Sequence, residues 1–327
     1  MIISWNTTRA CNLSCVHCYR DAGAVAAGEL TTAEGKKLLD EIARAGFKIM
    51  VFSGGEPLIR PDIGELIAHA RQAGLRPVLG TNGTLITPAI AAGLKAAGAA
   101  CAGISLDSRD REKHDKFRGY AGAWDETMRG IEACRGAGLP FQLHTTVMDW
   151  NEAEVTAITD LAVALGAVAH HIFFLVPTGR GRDIAATSLR TKQYETLLER
   201  ILAKQAEVPI ELKPTCAPQF MRIAREKGIP MRFTKGCLAG TAYCVILPNG
   251  DVHPCPYLPL KAGNVREAPF DAIWRDSTLL GELRSQPLKG GCGRCGYGDI
   301  CGGCRARAYY YSGGDYLAEE PWCDRGR

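Results

Sequence analysis

The chain has 327 residues, 46% hydrophobic and 23% charged, a composition typical of a folded protein of about two domains. The net charge of +4 is too small to indicate a nucleic-acid-binding protein, and no apolar run is long enough to cross a membrane. The first residues lack the basic and apolar regions of a signal peptide. We therefore expect a cytoplasmic protein with no nucleic-acid partner and no membrane span.

The first two hundred residues alternate between strand and helix patterns. Thr31 and Glu34 fit a capping box at the first helix. Strands are predicted at 2–7, 48–55, 76–83, 101–108, 140–147 and 170–176, and helices near 32–45, 61–73, 87–97, 124–137 and 152–165. This order predicts an α/β fold with a parallel sheet, either open and doubly wound or an incomplete barrel. In both cases the chemistry belongs at the carboxyl ends of the strands.

The pattern changes after residue 182. A helix near 190–206 and a short strand at 209–214 are predicted to form a bridge. A hairpin over 242–256, with its turn at Pro248–Asp251, precedes a short helix near 269–285 and a loop-rich tail. We place a domain boundary so that residues 1–230 form the first unit with its bridge and 231–327 form a small cysteine-rich domain.

The 14 cysteines are unevenly spread, with three at 11–18 and eight at 237–323. A secreted disulfide scaffold is usually shorter, so bunched cysteines favour a metal centre. The spacing Cys11-x3-Cys15-x2-Cys18 follows the first strand and offers three thiolates from one side, whereas structural zinc takes four ligands. A zinc knuckle or free buried thiols are the alternatives. Cys101 and Cys134 are expected in the core.

The three-cysteine loop, together with Gly54-Gly55-Glu56-Pro57 after the second strand, resembles the radical S-adenosylmethionine (SAM) superfamily. The resemblance implies a partial (β/α)6 barrel and a 4Fe–4S cluster on the three cysteines. It also implies reductive cleavage of SAM to methionine and a 5′-deoxyadenosyl radical, driven by a low-potential donor such as a ferredoxin or flavodoxin.

The same resemblance implies which residues bind SAM. Arg118 would pair with the SAM carboxylate. For Ser105, Asp107 and Arg118, local capping or a surface ion pair is the alternative. The SAM-binding candidates are Gly54, Gly55, Glu56, Pro57, Thr81, Asn82, Ser105, Asp107 and Arg118.

The cysteine-rich tail resembles the SPASM extension of the same superfamily, with two residues before Cys304 where three are usual. The resemblance implies two auxiliary 4Fe–4S clusters. Cys237, Cys244, Cys255 and Cys304 would hold the first, and Cys292, Cys295, Cys301 and Cys323 the second. A twitch-type tail with a single cluster, or zinc in one site, is the alternative.

Basic and aromatic residues near the predicted open side of the barrel suit a flat substrate that carries several carboxylates. Cys216 is predicted to be a hydrogen donor or a ligand of an iron in the substrate, with a buried thiol as the alternative. The substrate-binding candidates are His170, His171, Arg180, Arg182, Lys213 and Arg222. For these, core packing or a solvated face is the alternative.

A narrower resemblance covers nearly the whole chain, including AVAHHIFFLVPTGRGR and ELKPTCAPQFMRIA. These segments are similar to the sirohaem-derived tetrapyrrole branch of radical SAM enzymes, which includes the NirJ-type proteins of haem d1 formation and the deacetylase AhbC. The resemblance implies removal of side chains from an iron tetrapyrrole. We prefer loss of two acetate arms from 12,18-didecarboxysirohaem, which gives iron-coproporphyrin III. The alternatives are a NirJ-type reaction, a haem synthase that oxidatively decarboxylates propionates, a peptide maturase and a non-catalytic electron carrier.

Overall fold

A computed structural model describes residues 1–189 and 191–326. Seven parallel strands form the barrel wall in sequence order, so each crossover adds the next strand at the same edge. The strands are β1 (Ile2–Asn6), β2 (Ile49–Ser53), β3 (Arg76–Thr81), β4 (Cys101–Ser105), β5 (Phe141–Val147), β6 (Ala169–Phe174), β7 (Glu211–Thr215), β8 (Tyr243–Ile246), β9 (Asp251–His253) and β10 (Gly263–Asn264).

The helices follow the strands as the sequence pattern predicts. Thr31 and Glu34 form the expected capping box at the start of the first helix. The helices are α1 (Thr32–Arg44), α2 (Ile63–Gln72), α3 (Pro88–Ala96), α4 (Arg111–Arg118), α5 (Ala123–Ala137), α6 (Val155–Leu165), α7 (Thr191–Gln205), α8 (Gln219–Glu226), α9 (Phe270–Asp276), α10 (Thr278–Ser285), α11 (Gly290–Arg294) and α12 (Arg305–Tyr311). The predicted partial barrel is confirmed.

Side chains of the barrel strands alternate between two environments. In β5, Leu143 and Val147 are buried, whereas Gln142, His144 and Thr146 are half-buried. The buried set packs against the helices in one large apolar core, which also takes in Cys134. Because successive strand residues point to opposite faces, the half-buried set lines the barrel lumen. The lumen is therefore the polar face of the sheet.

The predicted tail hairpin is present and belongs to the barrel sheet. Strand β8 pairs in parallel with β1, and β9 pairs antiparallel with β8 around the turn at 247–250. The sheet thus runs from β10 to β7 without a break across the expected boundary near residue 230. That boundary stays a prediction.

Three local expectations were incomplete. The single helix at 269–285 is two helices, because Ser277 has an extended backbone between α9 and α10. Helix α4 was not expected, and the loop-rich tail contains α11 and α12. No helix in the described ranges is long and apolar enough to span a membrane.

Candidate cluster and cofactor sites at the carboxyl end of the barrel

The loop after β1 brings Cys11, Cys15 and Cys18 together. The backbone N–H of Cys11 donates to the carbonyl of Gly23 at 2.9 Å and closes the loop. Each sulfur accepts from one N–H group: Leu13 N at 3.5 Å from Cys11, Arg118 Nη1 at 3.9 Å from Cys15, and Ala22 N at 3.4 Å from Cys18. Hydrogen bonds to sulfur stabilise and tune iron–sulfur clusters, so these residues fit a 4Fe–4S cluster.

Burial raises the pKa of Cys11 to about 11, so a metal must displace a proton to bind there. Within the described part of the chain, no three His, Cys, Asp or Glu side chains form a ready group for a metal ion. The ligand assignments stay predictions.

The glycine loop lies against the segment that leads to Cys11. The N–H of Gly55 donates to Thr8 O and that of Glu56 to Ala10 O, both at 2.8 Å. A Cβ on Gly54, whose φ is +142°, would lie 2.4 Å from Thr8 O. Only glycine fits this approach. The loop is thereby fixed directly beside the three-cysteine loop.

The buried carboxylate of Glu56 accepts three hydrogen bonds. The donors are Thr81 Oγ1 at 2.8 Å, Asn82 N at 2.9 Å and Leu58 N at 3.1 Å. Burial raises the pKa of Glu56 to about 7. Because its oxygens are occupied within the protein, Glu56 ties the glycine loop to the turn after β3. Its direct contact with SAM stays a prediction.

A side-chain network that the sequence did not reveal joins this turn to the cluster loop. Asn82 Nδ2 donates to Asn12 Oδ1 at 2.9 Å, and Asn12 Nδ2 donates to Thr84 Oγ1 at 2.8 Å. Asn12 lies between Cys11 and Cys15, and that position was the available signal. The network fixes the cluster loop relative to Thr81 and Asn82.

Arg118 was expected to pair with the SAM carboxylate, but in this structure its guanidinium pairs with the carboxylate of Asp107. Arg118, at the end of α4, places Nη2 2.6 Å from Asp107 Oδ2, and both side chains are buried. Asp107 Oδ1 also accepts from Thr146 N at 2.8 Å. Arg118 thus lies between Asp107 and Cys15, and Ser105 Oγ donates to Thr81 O at 3.3 Å.

Arg180 was expected at the substrate, but it binds the cluster loop. Its Nε donates to Cys15 O at 2.9 Å and its Nη1 donates to Ala22 O at 3.0 Å. The backbone N–H of Arg180 also donates to Cys18 O at 2.9 Å. The segment after β6 therefore positions the three-cysteine loop.

Three other substrate candidates lie away from the lumen wall. His170 is in the core, 2.9 Å from Thr145 Oγ1 and 3.0 Å from Thr159 Oγ1, because alternation along β6 turns it toward the helices. Arg222 pairs with Glu195 and Glu226. Arg182 contacts the carbonyl of its own turn and is exposed.

The remaining candidates, His171 and Lys213, belong to a polar group in the lumen that we call the lumen cluster: Gln142, His144, His171, Glu211 and Lys213. The two imidazoles stack with centroids 5.2 Å apart and planes 7° apart. Gln142 Nε2 lies 2.7 Å from His144 Nε2, and His171 Nε2 lies 3.9 Å from Glu211. Burial lowers the pKa of His144 to about 4, so its ring is neutral.

Two cationic side chains, Lys213 of the lumen cluster and Arg20 of the loop after β1, each lie beside an aromatic ring. Lys213 Nζ lies 4.7 Å from the ring centre of Phe233, and burial lowers the pKa of Lys213. Arg20, which the sequence analysis missed, has buried Nε and Nη2 atoms without a hydrogen-bond partner among the described residues. Its guanidinium lies 5.3 Å from the ring centre of Tyr19. These groups can bind carboxylates on an aromatic ligand.

The second predicted set of tail cysteines shares one cavity of about 420 Å³. Cys292 Sγ accepts from the N–H of Glu320 at 3.3 Å and faces Arg305 Nη2 at 3.9 Å. Burial raises the pKa of Cys301 to about 12, opposed by a backbone hydrogen bond from Gly303. The lining cysteines are Cys292, Cys295, Cys301 and Cys323. The donors to Cys292 and Cys301 support a second cluster by the criterion used for the three-cysteine loop after β1, which we call the front loop.

The first predicted set is not gathered as expected. Cys255 and Cys304 pack in the same small apolar cluster, and Cys237 is their electrostatic neighbour. Cys244 is instead buried in the main core, in register with Ile3 of β1. The strand turns the Cys244 thiol to the opposite face of the sheet, so the structure separates Cys244 from the other three cysteines of this set. The ligand assignment stays a prediction.

A parallel barrel with a three-cysteine loop and a cysteine-rich tail defines an iron–sulfur enzyme of the α/β barrel class. Residues 5–162 match the model of the radical SAM superfamily, and residues 237–296 match that of an iron–sulfur cluster-binding domain, SPASM. The AdoMet-dependent heme synthase of Methanosarcina barkeri is 48% identical over 98% of this chain and 95% of its own length.

The Fe-coproporphyrin III synthase of Methanosarcina barkeri is 34% identical over 98% of this chain and 87% of its own. SuiB of Streptococcus suis, solved with its precursor peptide, shares the fold with a TM-score of 0.78 at 16% identity, covering 98% of this chain and 75% of that chain. This chain belongs to the radical SAM superfamily, in its sirohaem-derived tetrapyrrole branch. It is an enzyme that uses SAM, a 4Fe–4S cluster and auxiliary iron–sulfur clusters, as the sequence predicted.

Proposed function

We propose that this enzyme makes haem from an iron coproporphyrin by oxidative decarboxylation of two propionates to vinyl groups, with one SAM as the oxidant for each propionate. Each SAM would leave as methionine and 5′-deoxyadenosine, which take up the electron and the hydrogen atom that the propionate loses. The main support is a contrast between two relatives from one organism. The chain is 48% identical to the heme synthase and 34% identical to the Fe-coproporphyrin III synthase. This order favours the haem synthase alternative over the deacetylase that the sequence analysis preferred. A tetrapyrrole substrate and a low-potential electron donor, such as a ferredoxin or flavodoxin, are part of the proposal.

The front loop prepares the radical step. When bound, SAM and the cluster on Cys11, Cys15 and Cys18 supply the 5′-deoxyadenosyl radical. The residues of this chain hold these groups in place and keep water away from them. Arg180 anchors the loop backbone, and Glu56 anchors the glycine loop. A buried site that excludes water protects a reactive radical from side reactions.

The lumen suits a carboxylated macrocycle. Lys213 offers a cation on the lumen wall. Arg20, beside Tyr19 in the loop after β1, offers buried N–H groups without hydrogen-bond partners among the described residues. Phe173 of β6 lies 5.2 Å from the His144 ring, which adds an aromatic surface beside the stacked imidazoles. A flat ring can pack on these surfaces while its carboxylates pair with the cations.

The proposal is tested by offering two tetrapyrroles in parallel. The reconstituted full chain is incubated anaerobically with dithionite, SAM and either iron-coproporphyrin III or 12,18-didecarboxysirohaem. We expect the mass of the first to fall by two carbon dioxide units and four hydrogens, and the second to stay unchanged. Loss of acetate arms from the second, with the first unchanged, would overturn the proposal in favour of the deacetylase.

A further inference from the structure

The backbone of Cys216 adopts a conformation that its residue type does not favour. It follows β7 directly and has a φ of +59°, in the left-handed region. Asp21 is the other non-glycine residue with positive φ in the described ranges. Glycine and asparagine occupy this region more readily than cysteine. We therefore expect the side chain of Cys216 to make an interaction that offsets this unfavourable backbone conformation.

Three chain segments meet at Cys216. A Cβ on Gly236 would lie 2.6 Å from Pro218. The segment that leads to Cys237 is therefore in close contact with the segment that follows Cys216. The N–H of Cys237 donates to Cys301 O at 3.2 Å, which brings in the segment before Cys304. Thus the end of β7 and two parts of the tail are in contact.

The side chain of Cys216 lies among three other cysteines. It packs in the small apolar cluster that contains Cys304 and Cys255. Burial raises the pKa of Cys216, and next to burial the largest contributions come from the negative charges of Cys304 and Cys255. Cys237 contributes in the same direction. Packing therefore identifies Cys304 and Cys255 as neighbours of Cys216, and the backbone hydrogen bond from Cys237 to Cys301 brings Cys237 to the segment before Cys304.

Cys244 has none of these neighbours. Its strand register with Ile3 turns the thiol into the main core, where it is fully buried. Burial raises its pKa, and the charged neighbour that opposes this rise is Arg284, not a cysteine. Cys244 is thus a core residue in the way that Cys134 is.

A buried cation beside the group has an unused donor. Arg307 is fully buried, and its Nη1 atom has no hydrogen-bond partner among residues 1–189 and 191–326. Its positive charge lowers the pKa of both Cys216 and Cys304. Such a donor suits an anionic group placed between the thiols.

We propose that Cys216 is the fourth ligand of an auxiliary 4Fe–4S cluster held with Cys237, Cys255 and Cys304, and that Cys244 is not a ligand. Binding releases the thiol protons to solvent. The cluster is then ligated at all four irons and has no open site for substrate. Since Cys216 directly follows the strand that carries Lys213, this cluster adjoins the lumen. The inference does not depend on which tetrapyrrole the enzyme uses.

The test compares two substitutions in the full chain, with Cys11, Cys15 and Cys18 changed to Ala so that the front cluster does not contribute. Cys216→Gly removes the thiol and also suits the positive φ, so backbone strain cannot explain a loss. Cys244→Val, which keeps an apolar side chain in the core, is the matched control. Iron and sulfide content, Mössbauer spectra and far-ultraviolet circular dichroism are measured after anaerobic reconstitution.

We expect Cys216→Gly to lose one cluster's iron and sulfide, or to retain a three-iron form, with unchanged circular dichroism. We expect Cys244→Val to match the parent in iron and in spectra. A four-iron cluster with one spectroscopically distinct iron would also support the proposal, because three thiolates can hold a 4Fe–4S cluster, as proposed for the loop after β1. Full iron content together with Mössbauer spectra identical to those of the parent would overturn the proposal. Loss of a cluster in Cys244→Val would overturn the exclusion of Cys244, whether or not Cys216→Gly also loses it.

Discussion

Both halves of the molecule place a buried arginine–carboxylate pair beside a predicted cluster ligand. The two pairs contact different atoms of that cysteine. In the barrel, Arg118 pairs with Asp107 and its guanidinium also donates to Cys15 Sγ. In the tail, Arg307 pairs with Glu320 in a bidentate arrangement at 2.7 and 3.0 Å. There the carboxylate accepts the backbone N–H of Cys304 at 2.6 Å.

This difference separates two ways of supporting a cluster. The barrel pair acts on a sulfur atom and can influence the reactivity of the cluster. The tail pair acts on the backbone, with Arg307 packed 4.1 Å above the Trp322 ring, and so determines where Cys304 lies. We therefore expect barrel substitutions to change the rate of SAM cleavage and tail substitutions to change stability and iron retention.

The largest expected effect comes from removing a front ligand. Cys15→Ala should reduce 5′-deoxyadenosine formation to the level of a protein-free control, because the radical cluster cannot form with two thiolates. The tail clusters should remain, as measured by iron content and Mössbauer spectra. Cys101→Ala, at a buried thiol of β4, is the control and should keep activity. Deoxyadenosine production by Cys15→Ala would refute the assignment of the front loop.

Breaking the tail pair should cost stability. Arg307→Met leaves the Glu320 carboxylate buried without its partner, which typically destabilises a protein by about 3–5 kcal/mol. Anaerobic urea denaturation measures this loss. The double variant Arg307→Met/Glu320→Gln should recover part of it, because the unpaired charge is removed. Equal stability of the single and double variants would argue against a charge effect.

A conservative change at the barrel pair should act on rate. Arg118→Lys keeps the positive charge but loses the forked donor that reaches both Asp107 and Cys15. Removing a hydrogen bond to a metal ligand typically costs about 10–100-fold in activity, and we expect SAM cleavage to slow by that range. Tail iron content should stay unchanged. An unaltered rate of SAM cleavage would show that the hydrogen bond to Cys15 has no catalytic consequence.

The lumen cluster should affect the substrate more than SAM. His144→Ala or His171→Ala should weaken tetrapyrrole binding about tenfold, equivalent to about 1.4 kcal/mol, as measured by anaerobic absorbance titration. SAM cleavage without tetrapyrrole should be unchanged. His69→Ala, which removes a partly exposed histidine paired with Asp40, is the control. Equal tetrapyrrole affinity in all three variants would place the substrate elsewhere.

An effect confined to low pH concerns acid stability. Because burial lowers the pKa of His144 from 6.5 to about 4, the unfolded chain binds a proton at pH values where the folded ring stays neutral. The free energy of unfolding should therefore fall as pH drops from 6.5 to about 4. His144→Gln should reduce this fall by about 1–2 kcal/mol in denaturation series at several pH values. Parallel pH profiles for the two proteins would contradict a neutral His144.

Periodicity predicted the barrel well, because alternation of strands and helices depends on local sequence. The capping box at Thr31 and the tail hairpin were confirmed for the same reason. Periodicity did not predict which face of a strand points inward. His170 and His171 are adjacent in sequence, yet the first packs under α6 and the second lines the lumen.

Spacing also failed to distinguish Cys216 from Cys244, since only the pairing of β8 with β1 shows that Cys244 faces the core. The partners of Arg118 and Arg180 were likewise beyond prediction. The charge of an arginine predicts that it binds an acceptor, but it does not predict which one. Arg180 and Cys15 are 165 residues apart in the chain, and only the folded structure shows that they are in contact.

In the proposed reaction, the front loop and the lumen act together on a propionate side chain. The most direct measurement uses iron-coproporphyrin III deuterated at the propionate carbons next to the ring, incubated anaerobically with SAM and dithionite. We expect one deuterium in 5′-deoxyadenosine for each carbon dioxide released, with vinyl groups in the product. Unlabelled 5′-deoxyadenosine together with an unchanged tetrapyrrole would contradict the proposed reaction.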